Sequence, residues 1–343
     1  MKESLQRLCE RFITNRDLIR KVLKTESAYI YPVCANIFCS GGRDANEEQL
    51  LACKQVLKEK TGPFSNFRGN LRAPVVSMLA AGGSPEARMD RALANYDMLK
   101  NEFTASQYLA LAAFLLTDLG NAGSSPDIAR RGKDLYRRMK REHPFLTASE
   151  DSVFAVFMAF SEKSDDELIQ DMESCYGLLR RLFPASNCLQ SVSHVLCLGP
   201  GSPEMKVSRL SELYGAIRAA GGKYGKYYEL STLAALSLLE EEIPAMAADV
   251  MEADAYLAEQ KGYGAFGLDR KARLMHAAML VSDDILCRRQ MSPVANPSVE
   301  AQAAASAAAG VPLAGTLALV VAQQAAMCAV MASTAATAAS TAR

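Results

Sequence analysis

Six polar residues in predicted turns carry side chains that could bind or transform a small ligand. They include an imidazole, a carboxylate, a guanidinium and an ammonium group, which are common components of a polar pocket. If folding brings these turns together, the side chains would form the site of an enzyme or a small-ligand binder. The candidates are Asn66, Arg68, His143, Glu150, Asn187 and Lys223.

No recognised catalytic or metal-binding motif accompanies these candidates. The histidines His143, His194 and His276 form no i, i+4 pair, and no cluster of cysteines and acids completes a set of metal ligands. The sequence also lacks a GxSxG nucleophile motif and a Walker loop. We therefore predict no catalytic residue, no metal site and no cofactor, and His194, in an apolar stretch, is predicted to be a core residue.

The string Gly262-Tyr-Gly264-Ala-Phe-Gly267 matches the GxGxxG pattern of dinucleotide-binding loops. That fingerprint requires a strand before it and a βαβ unit around it. Because a predicted helix containing Tyr256 precedes the string, we interpret its glycines as residues of a structural turn.

A base recurs at the end of each predicted outer helix, usually four residues after a tyrosine. In a stacked array these bases would form a ladder that suits single-stranded nucleic acid or another anionic ligand. The interpretation we favour is that each cation complements the C-terminal end of its own helix. The ladder comprises Lys24, Lys58, Lys100, Lys140, Arg180 and Arg218.

Two further segments concentrate positive charge. Residues 130–141 hold seven bases and one acid, a pattern typical of a solvated helix face. Residues 223–229 alternate bases with tyrosines, which could stack on nucleic-acid bases or plug a gap between helices. We favour the structural interpretation for both segments.

The overall composition favours a helical protein without net charge. Lys and Arg number 38, as do Asp and Glu, and this balance argues against a general nucleic-acid binder. Hydrophobic residues make up 50% of the chain, and tryptophan is absent. The nine cysteines include no CxxC pair, and the N-terminus has no apolar signal-peptide core. We therefore predict a cytoplasmic protein with reduced, mostly buried thiols.

Internal repetition predicts the fold. Tyr96, Tyr136, Tyr176, Tyr214 and Tyr256 follow one another at intervals of 40, 40, 38 and 42 residues. A helix-start signal precedes most of these tyrosines, and a strongly apolar helix follows most of them. The pattern predicts an all-α fold of six to seven stacked helical hairpins, α-solenoid-like, with a period of about 40 residues.

Helix-capping residues mark the predicted starts. Serines before proline are expected to cap the outer helices, and a Glu or Gln three residues after a Ser or Thr predicts a capping box. Phe103, Phe145 and Phe183 precede inner helices and are expected to pack against them. The predicted caps are Ser84, Ser125 and Ser202, and the predicted boxes begin at Thr104, Thr147 and Ser164.

The composition changes near the C-terminus. We predict a helical-repeat domain over 1–290, a proline-containing linker over 291–300 and an Ala-rich, helical segment over 301–343. Residues 311–332 are long enough to span a bilayer, but two glutamines fall within the span. We favour a helix that docks on the array or pairs with a second copy as a homo-oligomer, with membrane association as the alternative.

Four strings resemble an uncharacterised bacterial family known as domain of unknown function 4003. They are Phe64-Ser-Asn-Phe-Arg-Gly69, the segment 143–152, the segment 223–230 and Lys261-Gly-Tyr-Gly-Ala-Phe-Gly267. The resemblance runs from about residue 5 to residue 290. It implies a similar length and no established activity, ligand or catalytic residue.

The leading functional prediction is a module that binds a protein or peptide partner, because stacked helix pairs form long concave surfaces. This prediction depends on the fold alone. An enzyme or small-ligand binder using the turn residues, and single-stranded nucleic-acid binding along the ladder, remain the alternatives.

Overall fold

The structure, a computed structural model, describes residues 1–117, 125–184, 187–264 and 267–290. These ranges contain α-helices and no β-strand, which confirms the predicted all-α class. The predicted linker 291–300 and Ala-rich segment 301–343, with its span 311–332, lie outside the described residues. In the described ranges, no helix combines the length and the apolar character that crossing a bilayer requires.

The described residues divide into two compact units. We call residues 12–160 the N-terminal unit, and residues 1–11 with 161–290 the C-terminal unit. Helix α1, Glu3–Val22, has residues in both. The other helices of the N-terminal unit are α2 (Ile30–Ser40), α3 (Glu47–Lys60), α4 (Arg72–Ala81), α5 (Pro85–Lys100), α6 (Gln107–Leu116), α7 (Pro126–Glu142) and α8 (Asp151–Met158). Those of the C-terminal unit are α9 (Asp165–Leu179), α10 (Asn187–Leu198), α11 (Pro203–Ala219), α12 (Glu229–Ser237), α13 (Ile243–Ala258) and α14 (Arg270–Gln290).

Helix pairs organise each unit. In the N-terminal unit α3 packs on α4, α5 on α6 and α7 on α8, and α5 also contacts both α3 and α7. In the C-terminal unit α9 packs on α10, α11 on α12 and α13 on α14. There α11 contacts α9 and α13, while α12 contacts α10 and α14. A continuous array of six to seven pairs stays a prediction.

The second helix of each pair forms the core, because its sequence is apolar on nearly every side. All eight residues of α8 are buried, and in α6 every residue from Tyr108 to Leu116 is buried. The first helix is amphipathic instead. In α7 the buried residues are Ala129, Gly132, Leu135 and Met139, spaced three or four apart as one helical face requires.

Three of the marker tyrosines make the same aromatic contact. Phe67 meets Tyr96 edge to face at 5.3 Å between ring centroids, and Phe103 meets Tyr136 at 5.9 Å. Phe183 meets Tyr214 at 5.2 Å. In each case a phenylalanine in the turn after one outer helix contacts the tyrosine of the next outer helix within the same unit. The tyrosines therefore help join neighbouring outer helices.

A base five residues before the tyrosine holds the end of the inner helix in three pairs. Arg91 donates to the carbonyl of Thr117, Arg131 to that of Ala159, and Arg209 to those of Ser237, Leu239 and Glu241. The last carbonyls of a helix have no partner within the helix, so these guanidinium groups satisfy them. This second periodic base was not predicted from the sequence.

The capping predictions were partly wrong. Ser164 and Glu167 form the predicted capping box, and Ser125 and Ser202 accept the expected N–H bonds. Ser84 instead has φ +47° and makes no side-chain cap.

The predicted box at Thr104 does not form, because α6 begins three residues later with Ser106 as its cap. Thr147 is not the N-cap of α8 either. Its hydroxyl donates to the carbonyl of Met139, and α8 begins at Asp151.

Candidate functional site

A cavity of about 490 Å³ opens beside the turn that joins α11 to α12 in the C-terminal unit. Two residues of its wall come from α11, seven come from the turn and one comes from α14. We call it the basic pocket. Its lining residues are Tyr214, Arg218, Gly221, Gly222, Lys223, Tyr224, Gly225, Lys226, Tyr227 and Lys271.

The pocket is cationic. Arg218, Lys223, Lys226 and Lys271 line it, and no acidic residue does. Within the part of the chain that the structure describes, none of the four forms an ion pair. Bases that converge on a concave surface raise the local concentration of anions. The pocket is therefore suited to a negatively charged ligand.

Glycines allow the turn to begin directly at the end of α11. Gly221 has φ +85°, and its N–H donates to the carbonyl of Arg218. The N–H of Gly222 donates to the carbonyl of Ile217 at 2.8 Å, which completes a Schellman motif. A Cβ on Gly222 would lie 2.5 Å from the side chain of Ile217, so the close approach requires glycine.

A buried carboxylate anchors the rest of the turn. Glu229 is 3% exposed, and its Oε2 accepts the N–H of Tyr227 at 3.2 Å. A Cβ on Gly225 would lie 2.2 Å from this carboxylate, so Gly225 leaves the space that Glu229 fills. The hydroxyl of buried Tyr224 donates to the carbonyl of Glu229. These contacts fix the backbone on which Lys223 and Lys226 are mounted.

Burial raises the pKa of Glu229 above its ordinary value, while hydrogen bonds and the charge of Lys271 act in the opposite direction. The carboxylate faces the inside of the turn, and the ammonium groups of the turn line the pocket. Lys271 is therefore close enough to Glu229 for the two charges to interact, and the buried acid offsets part of the positive charge of the pocket.

The aromatic residues of the pocket have different exposures. Tyr214 is 9% exposed, and the guanidinium carbon of Arg218 lies 5.9 Å from its ring centroid. Tyr227 is 50% exposed at the rim. The first ring holds a base in place by a cation–π contact, and the second offers an aromatic surface to a ligand.

A second cavity of about 530 Å³ in the C-terminal unit is lined by both bases and acids, Lys206, Arg209 and Glu240 to Glu242 among them. Its bases are already engaged. Lys206 is 1% exposed and its Nζ lies 2.6 Å from Asp171, while Arg209 donates to three carbonyls. We therefore place the candidate functional site at the basic pocket.

The six polar turn residues predicted as a ligand site are distributed over both units. In the N-terminal unit, the amide of Asn66 donates to the hydroxyl of Tyr96, and Arg68 donates to Thr61 and to the carbonyl of Lys58. Half-buried His143 and Glu150 lie in the turn between α7 and α8. In the C-terminal unit, exposed Asn187 begins α10 and Lys223 lines the basic pocket. Their meeting in one pocket stays a prediction.

Several bases of the predicted ladder have intramolecular contacts. Three of them lie over the ring of the tyrosine four residues earlier. Lys100 lies 5.0 Å from the ring centroid of Tyr96. Arg180 lies 5.9 Å from that of Tyr176, and Arg218 lies 5.9 Å from that of Tyr214. The backbone carbonyls of Lys58 and Lys24 accept bonds from Arg68 and Arg72. Lys140 is exposed near the end of α7. Arg218 is the ladder residue that also lines the basic pocket.

Sequence reasoning missed Lys271 and the role of Tyr227. Residues 223–229 were recognised as a basic and aromatic segment, but Lys271 belongs to α14 and no local pattern connects it to that turn. Lys271 is the second residue of α14, and its place at the start of a helix was the only feature of the sequence that set it apart.

The glycine-rich string is preceded by helix α13, not by a strand. Gly262 and Gly264 have φ +98° and +114°, as the turn interpretation requires, while residues 265 and 266 lie outside the described ranges. Tyr263 is buried, and its hydroxyl lies 2.9 Å from Nδ1 of His276. His194 is fully buried, as predicted. Among the described residues, no group of His, Cys, Asp and Glu is placed to hold a metal ion.

Comparison with known proteins places the chain in a family. A family model described as "Protein of unknown function (DUF4003)" matches residues 16–308. The chain belongs to this family. The chain is also similar to "Uncharacterized protein YeaA" from Bacillus subtilis (strain 168), with 28% identity over 224 residues that cover 64% of this chain and 68% of that protein. No solved structure matches the chain.

Proposed function

We propose that this protein is a binding module that takes an acidic segment of a partner polypeptide into the basic pocket. The observation that carries the proposal is the convergence of Arg218, Lys223, Lys226 and Lys271 on one concave surface without an acid among them. Electrostatic complementarity of this kind steers an acidic partner and selects against a basic one.

The exposure of the lining supports a segment of a larger partner over an enclosed small molecule. Arg218, Lys223 and Lys271 are exposed, and Tyr227 is half exposed. Small-ligand sites usually bury most of the ligand and are lined mainly by apolar groups. A pocket with exposed, charged walls leaves room for a chain to enter and leave.

Fluorescence polarisation with a labelled peptide rich in Asp and Glu tests the proposal on the full chain. We expect saturable binding that weakens as salt rises, because exposed charge pairs are screened. The double substitution Lys223→Glu with Lys226→Glu should weaken binding at least about tenfold.

The matched control reverses two exposed bases of the other unit, Lys140→Glu with Arg141→Glu, and should leave the affinity unchanged. Equal weakening by both pairs would contradict the proposal. Tighter binding of a single-stranded oligonucleotide than of the acidic peptide would contradict it as well.

A further inference from the structure

The four bases of the basic pocket exceed what a single carboxylate would neutralise, so an acidic segment would have to bring several carboxylates into the pocket. A carboxylate carries one negative charge and two acceptor oxygens. A phosphate monoester carries close to two charges at neutral pH and three strongly accepting oxygens. A phosphate monoester therefore matches the four bases of the pocket better than a carboxylate does. These bases come from two helices and one turn, and they are Arg218, Lys223, Lys226 and Lys271.

Arg218 is held where it can present a fork of N–H groups. Its guanidinium carbon lies 5.9 Å from the ring centroid of Tyr214, and both residues line the pocket. A planar guanidinium binds phosphate oxygens through two parallel hydrogen bonds, and fixing it on a ring reduces the entropy lost on binding. The contact therefore restricts the orientation of Arg218 before a ligand arrives.

The turn that carries two of the lysines is also fixed in advance. Gly222 bonds back to Ile217 at 2.8 Å, and Tyr227 bonds to the buried carboxylate of Glu229 at 3.2 Å. These bonds lie on either side of Lys223 and Lys226. A site whose cations are mounted on anchored backbone gains affinity because less motion is lost on binding.

From this geometry we infer that the anionic group recognised by the basic pocket is a phosphate monoester carried by an aromatic ring, as in a phosphotyrosine of the partner. The bases bind the phosphate oxygens, and the half-exposed ring of Tyr227 at the rim stacks on the ring that carries the phosphate. This inference rests on the proposed function, since it names the group that the partner segment presents.

Isothermal titration calorimetry with the full chain tests the inference. Three peptides of one sequence carry phosphotyrosine, tyrosine or glutamate at the same position, and phenyl phosphate and inorganic phosphate are titrated separately. We expect the phosphotyrosine peptide to bind about tenfold or more tightly than the glutamate peptide. Its affinity should rise with pH through the second phosphate pKa of about 6, and that of the glutamate peptide should not.

The structure provides a matched control for the arginine. Arg180 in α9 lies over Tyr176 at the same 5.9 Å distance and does not line the pocket. Arg218→Gln should remove the preference for phosphotyrosine, whereas Arg180→Gln should preserve it. Arg218→Lys, which keeps the charge and loses the fork, should give an intermediate preference. Circular dichroism confirms that each variant is folded.

Each outcome separates the inference from the function on which it rests. Equal affinities for the phosphotyrosine and glutamate peptides would overturn the phosphate inference and leave the acidic-segment function standing. Failure of both peptides to bind would overturn both. Binding of phenyl phosphate as tight as that of the phosphotyrosine peptide would support phosphate recognition and overturn the polypeptide partner. Equal loss in Arg180→Gln and Arg218→Gln would overturn the role of Arg218.

Discussion

At the residue scale, two phenylalanines in comparable turns have opposite environments. Phe103 is 6% exposed and packs on Tyr136, whereas Phe145 is 98% exposed, so the expectation that Phe145 packs against the next helix was wrong. Phe145 follows Pro144 within a β-turn closed by the bond from the N–H of Leu146 to the carbonyl of His143. Proline sets the turn, and the turn directs the ring outward.

Truncating these two rings should therefore have very different effects. Phe103→Ala should lower the free energy of unfolding by about 3 kcal/mol, because it leaves a cavity beside Tyr136. Phe145→Ala should change it by less than about 0.5 kcal/mol. Urea unfolding followed by circular dichroism measures both values, and similar losses would contradict the assigned environments.

Asp151 predicts a pH dependence of stability. It is 1% exposed, and burial raises its pKa from 3.8 to about 7, with Glu150 adding to the rise and the N–H of Ala148 opposing it. Because the folded pKa lies above the unfolded value, the folded state holds the proton more tightly. The contribution of protonated Asp151 to the stability of the folded state is therefore fully present below pH 4 and is lost as the pH rises through about 7.

Asp151→Asn should remove this part of the pH dependence while keeping an oxygen to accept the N–H of Ala148. The variant should gain stability relative to the original protein as the pH rises from 4 to 8, by on the order of 2–4 kcal/mol at the upper end. Thermal unfolding at several pH values measures the difference. Parallel profiles for the two proteins would show that Asp151 titrates normally.

At the element scale, the α9–α10 pair replaces the periodic arginine by an acid. Asp171 occupies the position five residues before Tyr176 that Arg91, Arg131 and Arg209 hold in other pairs. Its carboxylate binds Lys163 at 2.7 Å and Lys206 at 2.6 Å, and Lys163 also donates to the carbonyl of Cys197. In this pair Lys163 thus binds a carbonyl at the end of the inner helix, as the arginine does in the other pairs.

Asp171→Asn should be strongly destabilising. The substitution leaves the ammonium of Lys206, which is 1% exposed, without its carboxylate, and removing one partner of a buried pair costs about 3–5 kcal/mol. Asp134→Asn provides the control, because Asp134 pairs with Arg137 on the surface. That exposed pair should contribute less than about 1 kcal/mol. Urea denaturation compares the two variants, and equal effects would contradict the burial of Lys206.

At the scale of the whole molecule, the thiols are protected in both units. Eight cysteines lie in the described ranges as free thiols, and six of them are buried. Burial raises the pKa of Cys9 and Cys34 to about 12 and that of Cys53 to about 11. Thiolate is the reactive form, so these groups are inert at neutral pH.

Iodoacetamide labelling of the eight described cysteines should accordingly be slow in the folded protein. We expect half-buried Cys188 and Cys287 to react before the buried cysteines, and all eight to react quickly after unfolding in urea. Mass spectrometry of timed samples identifies the labelled sites. Early labelling of Cys34 or Cys197 in the folded protein would contradict the core assignment.

Local sequence patterns were sufficient to predict the helical class, several helix starts and the buried faces. These features depend on residues within one or two turns of each other, such as Ser164 with Glu167, or the spacing of Leu135 and Met139. The aromatic and basic marker was likewise a local signal, because Arg218 reaches Tyr214 across a single helical turn.

Which bases are engaged within the protein, and which are available to a ligand, depends on how the helices pack. Arg209 and Arg218 lie on the same helix, yet the first is used by the carbonyls that end α12 and the second lines the basic pocket. Lys271 reaches that pocket from a distant part of the chain. Partners far apart in sequence meet through the packing of whole helices, which no pattern of neighbouring residues specifies.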